Sequence, residues 1–178
     1  MPRLSKVEMV PHDPQWRHAF EAEAKRVAVA IGQNVVAIHH IGSTAIPGIY
    51  AKPIIDLLVE VDDITLVDAC NSTMQALGYE VVGEFGIPGR RFFSKDNAAG
   101  DRTHHVHAFQ TNSPQVERNL AFRDFLIAHP HYAQTYSELK QKLAKQYPND
   151  IEGYGDGKAA FIEAMHAKAQ AWRMQSGG

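Results

Sequence analysis

Cysteine is nearly absent: Cys70 is the only one in 178 residues. One thiol excludes an intramolecular disulfide framework and any CxxC metal or redox motif. Long hydrophobic runs are missing as well. The longest, such as Val27 to Ile31, fall far short of the ~20 residues of a membrane-spanning helix. Met1 to Val10 holds no apolar stretch of the kind that opens a secretory signal. A reduced, cytoplasmic protein with no membrane partner is expected. A surplus of one charge is also lacking, since 18 basic and 20 acidic side chains leave a formal charge of −2. That balance argues against bulk nucleic-acid binding by the whole surface, and it leaves room for a local anion site. No P-loop, GxGxxG, HExxH or nucleophile elbow occurs. Walker-type ATP hydrolysis, NAD chemistry and zinc-protease chemistry are therefore excluded as readings.

What remains is ordinary globular composition, 44% hydrophobic and 21% charged. A chain this long buries roughly 70% of its unfolded surface and needs no metal or disulfide to hold a core. Asp13-Pro14 opens a helical pattern carrying Trp16, Phe20, Val27 and Ile31, stopped by Gly32. Val35 to Ile41 reads as a strand ending in Gly42-Ser43-Thr44, with a loop over Ala45 to Lys52. Pro53 to Val61 is an apolar run around Asp56, the pattern of a central strand covered on both faces. Asp62-Asp63 cap a helix over Ile64 to Leu77, in which Leu66, Cys70 and Met74 share a buried face. Strands follow at Tyr79 to Val82, Arg90 to Ser94 and Thr103 to Gln110. Helices are expected at about 114–128, 130–146 and 156–173, punctuated by His129-Pro130 and Tyr147-Pro148. The order implies a small mixed sheet with packed helices, followed by a helical part that shares its core.

Chemistry concentrates in three places. His40-Ile41-Gly42-Ser43-Thr44 frees backbone N–H groups toward an anion, because glycine permits close approach. Asp56, 13 positions after Ser43, is costly in an apolar strand unless paired or metal-bound. Lys52 supplies charge to a phosphate or to Asp56. The alternative is a plain turn before a core strand whose Asp caps a neighbouring helix. In His105-Val106-His107 the two imidazoles share one strand face, roughly 6.5 Å apart. They suit one metal or, protonated, one phosphate. His104 points the other way. In Phe122-Arg123-Asp124-Phe125-Leu126 the apolar residues form a packing stripe, and Arg123 and Asp124 lie off it. Tyr132, Tyr136, Leu139 and Leu143 form a similar stripe with Lys140 beside it. Tyr154 and Lys158 mark the start of the last helix.

Six segments in order carry a family resemblance: DPQW at 13–16, HHIGSTAIPGIYAKPIID at 39–56, HVHAF at 105–109, AFRDFLIAHP at 121–130, YSELKQKLA at 136–144 and YGDGKAAFI at 154–162. From Val7 to Ala171 the chain resembles the GrpB family, bacterial proteins related in fold to nucleotidyltransferases. The resemblance implies an α+β fold: a nucleotidyltransferase-like mixed β-sheet with packed helices and a C-terminal helical part. It also implies one GrpB-like domain over 1–178, with the sheet-bearing core in 1–112 and the helices of 113–174 packed on it. In nucleotidyltransferases of the DNA polymerase beta type, a Gly-Ser turn grips the triphosphate. A strand carrying acid–apolar–acid then holds two Mg²⁺ ions, and a later strand adds a third acid. Gly42, Ser43 and Asp56 match that pattern. Leu58 stands where the second acid belongs, and Glu60 is roughly 13 Å along the strand from Asp56, too far to share its ion. His105 and His107 fall where the third acid is expected.

The resemblance thus implies a single divalent ion, Mg²⁺, Mn²⁺ or Zn²⁺, on Asp56, His105 and His107, which double as the catalytic candidates. Histidine favours Zn²⁺ or Mn²⁺. His40, Gly42, Ser43, Lys52, Arg90, Arg91, Arg123 and Lys158 are the candidate binders of a phosphorylated or nucleotide-like small molecule. Two functions stand: nucleotidyl or phosphoryl transfer, or a non-catalytic module that binds such a ligand.

Overall fold

Two apolar strands and one strand rich in histidine organise the sheet. In the computed structural model, residues 8–175 are described; residues 1–7 of the stretch read for a signal segment lie outside them. Strands β1 (Val35–Ile41), β2 (Ile55–Val61), β3 (Tyr79–Gly83), β4 (Arg91–Asp96) and β5 (Arg102–Gln110) form a five-stranded sheet in the order β1-β2-β5-β4-β3. β2 pairs parallel with β5, and the other three pairings are antiparallel. The fold is α+β with a mixed sheet. β2 is an interior strand, as its apolar run predicts: Leu57, Leu58, Val59 and Val61 are fully buried. The middle position belongs to β5, which has β2 and β1 on one side and β4 and β3 on the other.

Contacts divide the chain into two compact units. The first comprises Gln15–Ile41 and Ile54–Glu117 and holds the whole sheet. Helix α1 (Gln15–Ile31) packs on β1 and β2 within it, burying Trp16, Val27 and Ile31. The second contains residues 8–14, Gly42–Pro53 and residues 118–175. Here Ile46 and Ile49 of the loop enter a core with Phe125 and Leu126 of α3 (Pro114–Ala128), Tyr136 of α4 (Pro130–Gln146) and Met165 of α5 (Ile151–Gln175).

Two elements differ from the sequence expectation. Residues Ile64–Cys70 form a 3₁₀ helix, and only Asn71–Ala76, α2, is α-helical. Ile64, Thr65 and Val67 are β-branched and weak α-formers. The three-residue repeat turns Leu66 outward to 55% exposure, while Val67 and Met74 are buried. Cys70 is therefore half-buried rather than core, its thiol directed at the carbonyls of Ile31 and Leu66. The last helix begins at Ile151 rather than 156. Gly157 in it serves close packing: a Cβ there would stand 2.5 Å from Leu143 Cδ2 of α4.

One buried acid ties α1 to the far edge of the sheet. Glu23, 1% exposed, accepts hydrogen bonds from Tyr79 Oη at 2.6 Å and Arg26 Nη1 at 3.0 Å and pairs with Lys95. Burial alone would raise its carboxyl pKa, but Lys95 and Tyr79 outweigh burial and hold it below the usual value. Removing one donor leaves a charged oxygen under-satisfied. Tyr79→Phe is expected to cost about 1–3 kcal/mol, read as a lower urea midpoint at unchanged slope. An unchanged midpoint would show that the Tyr79 hydroxyl contributes nothing.

Candidate metal and phosphate site

The parallel pairing of β2 with β5 sets Asp56 opposite His105 and Leu58 opposite His107. All four side chains emerge on one sheet face, because strand side chains alternate. Asp56 Oδ1 lies 3.0 Å from His107 Nε2 and 3.2 Å from His105 Nδ1. One ligand atom from each of the three residues falls within 4.8 Å of the others. Each side chain is partly exposed, Asp56 by 23%. Burial would raise the Asp56 carboxyl pKa, but the two imidazoles hold it far below the usual carboxylate range. Phe92 walls the cluster, its ring centroid 5.3 Å from that of His105 and 5.2 Å from that of His107.

Two arginines address the outer ring nitrogens. Arg102 Nη1 lies 3.1 Å from His105 Nε2, and Arg90 Nη1 lies 3.3 Å from His107 Nδ1. A guanidinium only donates, so both outer nitrogens accept. The remaining ring protons then sit on His105 Nδ1 and His107 Nε2, and both donate to Asp56. Arg90 is 7% exposed and anchored by bonds from Nε to Glu84 O and from Nη2 to Phe85 O. Arg102 is braced by Asp96 at 2.6 Å. Arg102 carried no sequence signal of its own, since only the strand fold-back places it beside His105.

Other sequence candidates stand elsewhere in this unit. Arg91 precedes Phe92 and so faces the opposite side of the sheet, where Asp68 takes its Nε at 2.7 Å and its Nη2 at 3.3 Å. His40 pairs with Leu57 in register, which turns its ring away from the Asp56 face. The ring stacks on Phe20 of α1 at 4.8 Å. Glu60 accepts from the Thr111 hydroxyl at 3.0 Å and lies 2.6 Å from His39 Nε2.

Within the helical unit, Gly42 takes a φ of 77°, a left-handed value that favours glycine. It leads into a 3₁₀ turn over Ser43–Ala45, closed by Ala45 N–H donating to Gly42 O. Lys52 Nζ and Lys158 Nζ, distant in sequence, both lie over the Tyr154 ring, 5.1 and 4.7 Å from its centroid. Arg123 pairs with Asp124, which also accepts from Arg173 at 2.9 Å. Lys140, in sequence only a neighbour of a packing stripe, joins the site candidates. The signal was its i+4 spacing from Tyr136, which puts a charge on the apolar face itself.

A family model described as GrpB protein matches residues 6–168. The chain belongs to the GrpB family. It is 44% identical over 168 residues to the protein YqkA of Bacillus subtilis, covering 94% of this chain and 48% of that one; the chain thus spans about half the length of this curated relative. The crystal structure of GrpB from Enterococcus faecalis superposes with a TM-score of 0.88 at 40% identity, covering 93% of this chain and 99% of that one. Terminal uridylyl transferase 4 of Trypanosoma brucei with bound dUTP matches at a TM-score of 0.54 and 11% identity, over 94% of this chain and 55% of that one. The fold is therefore nucleotidyltransferase-like.

The arginine contacts make the ring tautomers testable. Long-range ¹H–¹⁵N spectra of the metal-free protein at mildly alkaline pH are expected to show His105 as the Nδ1–H tautomer and His107 as the Nε2–H tautomer. The reverse pair would show that the arginines do not set the imidazoles.

Proposed function

We propose that the chain is a metal-dependent transferase of nucleotidyl or phosphoryl groups, acting on a small phosphorylated or nucleotide-like molecule. The observation that carries this reading is the gathering of Asp56, His105 and His107 ligand atoms within 4.8 Å, partly exposed, on a nucleotidyltransferase-like sheet. One carboxylate and two imidazoles suit a single Zn²⁺ or Mn²⁺ better than Mg²⁺. They do not suit a two-ion carboxylate centre, because Leu58 at the second acid position is fully buried. An ion so held supplies Lewis acidity toward a phosphoryl oxygen.

The chain's own residues do the rest. Arg90 and Arg102 present guanidinium forks suited to phosphate oxygens. Turning from the imidazoles to a phosphate, they free the outer ring nitrogens to carry the protons. The inner nitrogens become available as ligands, so phosphate and ion favour each other's binding. Asp56 orients both rings, as a carboxylate orients the imidazole of a general base. Phe92 shields one side from water.

A second reading, a non-catalytic binder of a phosphorylated ligand, is supported by Leu58 and by the outer nitrogens. Metal-bound histidines usually donate that outer N–H to an acceptor, whereas here it meets guanidinium donors.

Calorimetry with Zn²⁺, Mn²⁺ and Mg²⁺, with and without nucleoside triphosphate, separates the two readings. Wild type is expected to bind one ion, more tightly with nucleotide present. His107→Ala and Asp56→Asn are expected to abolish that binding and to cut nucleotide turnover by at least about 100-fold. Absence of ion binding in wild type, together with retained nucleotide binding, would leave the binding module as the function.

A further inference from the structure

We propose that Lys52, Lys140 and Lys158, gathered around Tyr136 and Tyr154 in the helical unit, form a binding site for a polyphosphate anion, a di- or triphosphate group, with Lys140 Nζ as its buried donor. The site shares no residue with the Asp56 cluster.

Lys140 is the unusual group. It is 1% exposed, and among the described residues its Nζ has no hydrogen-bond partner. An ammonium carries three donors and no acceptor, and an unpaired buried charge is strongly unfavourable. The same chain satisfies its buried Glu23 with Tyr79, Arg26 and Lys95. Among the described residues no such donor–acceptor set serves Lys140. Its Nζ lies 4.4 Å from the Tyr136 ring centroid, and the charged groups acting on it are Lys158 and Lys52, both of like sign. Burial and those two ammonium groups push its pKa down to about 6. A lysine retained purely for packing would be served as well by methionine.

The local sequence builds this arrangement. Gly157 lets α5 approach Leu143 of α4 closely, which brings Lys158 to the side of α4 that carries Lys140. Tyr154 then holds the Lys158 and Lys52 ammonium groups over its ring at 4.7 and 5.1 Å. The Lys52 segment is docked onto α4 by Tyr50 N–H donating to Ser137 Oγ at 2.9 Å. Both outer lysines are half-exposed, so an anion meets them first and Lys140 last. Compact ammonium groups suit phosphate as point charges. With Lys140 taking up a proton as an anion binds, three of them match a di- or triphosphate better than a single phosphate.

Titration calorimetry in EDTA, with inorganic tripolyphosphate, pyrophosphate and orthophosphate, tests the site without any metal. Wild type is expected to bind in that order of affinity. Lys140→Met is expected to bind tripolyphosphate at least about tenfold more weakly and to melt at a higher temperature, because an unpartnered amine is removed. Lys158→Met, on a half-exposed side chain, is expected to weaken binding without a change in melting. Asp56→Asn is expected to bind tripolyphosphate as wild type does, which separates this site from the fate of the metal centre. Tripolyphosphate binding unchanged in Lys140→Met, or no tighter than orthophosphate in wild type, would overturn the proposal.

Discussion

A carboxylate inside a covered strand is the constraint on which the site depends. Asp56 sits among Ile55, Leu57, Leu58 and Val59, all buried. Such a group must be neutralised, hydrogen-bonded or metal-bound. Two imidazoles of the neighbouring parallel strand meet this need, and they do so only in one register. A slip of one residue between β2 and β5 would turn His105 and His107 to the opposite face. The chemistry and the strand pairing thus specify one another. Arg90 and Arg102 extend the network outward, so the cluster carries its own phosphate-matching groups within the sheet unit.

The two units treat buried charge differently. In the sheet unit, Glu23 is surrounded by donors and contributes to holding α1 against β3 and β4. In the helical unit, Lys140 lies against the Tyr136 ring with the like charges of Lys158 and Lys52 acting on it. The first pattern belongs to a stabilising network. The second costs stability, and at the proposed polyphosphate site an anion would relieve it. Local stability given up at a binding site is a common arrangement.

Much of this was legible in the sequence. The β-branched run of β1, the acid within β2 and the HxH alternation of β5 each predict their strand, and Pro130 places the start of α4. The grouping of Asp56 with two histidines follows from alternation once β2 and β5 are neighbours. What escaped the sequence depends on partners far along the chain. Adjacency groups Arg91 with Arg90, yet strand alternation and Asp68 turn it to the other face. Sequence proximity groups His40 with the Gly-Ser turn, yet register sets it against Phe20. The last helix starts five residues before the expected 156, and the closeness of Leu143 explains Gly157 inside it. Leu66 followed an α-helical spacing that its β-branched neighbours do not support.

The central claim is that Asp56, His105 and His107 converge on one ion. An anomalous difference map from crystals grown with Zn²⁺ or Mn²⁺ and a nucleoside triphosphate tests it most directly. A single peak is expected about 2.0–2.2 Å from His105 Nδ1, His107 Nε2 and an Asp56 oxygen, with Arg90 and Arg102 turned to the phosphates. A map with no peak there, the arginines still on the imidazoles and nucleotide bound elsewhere, would contradict it.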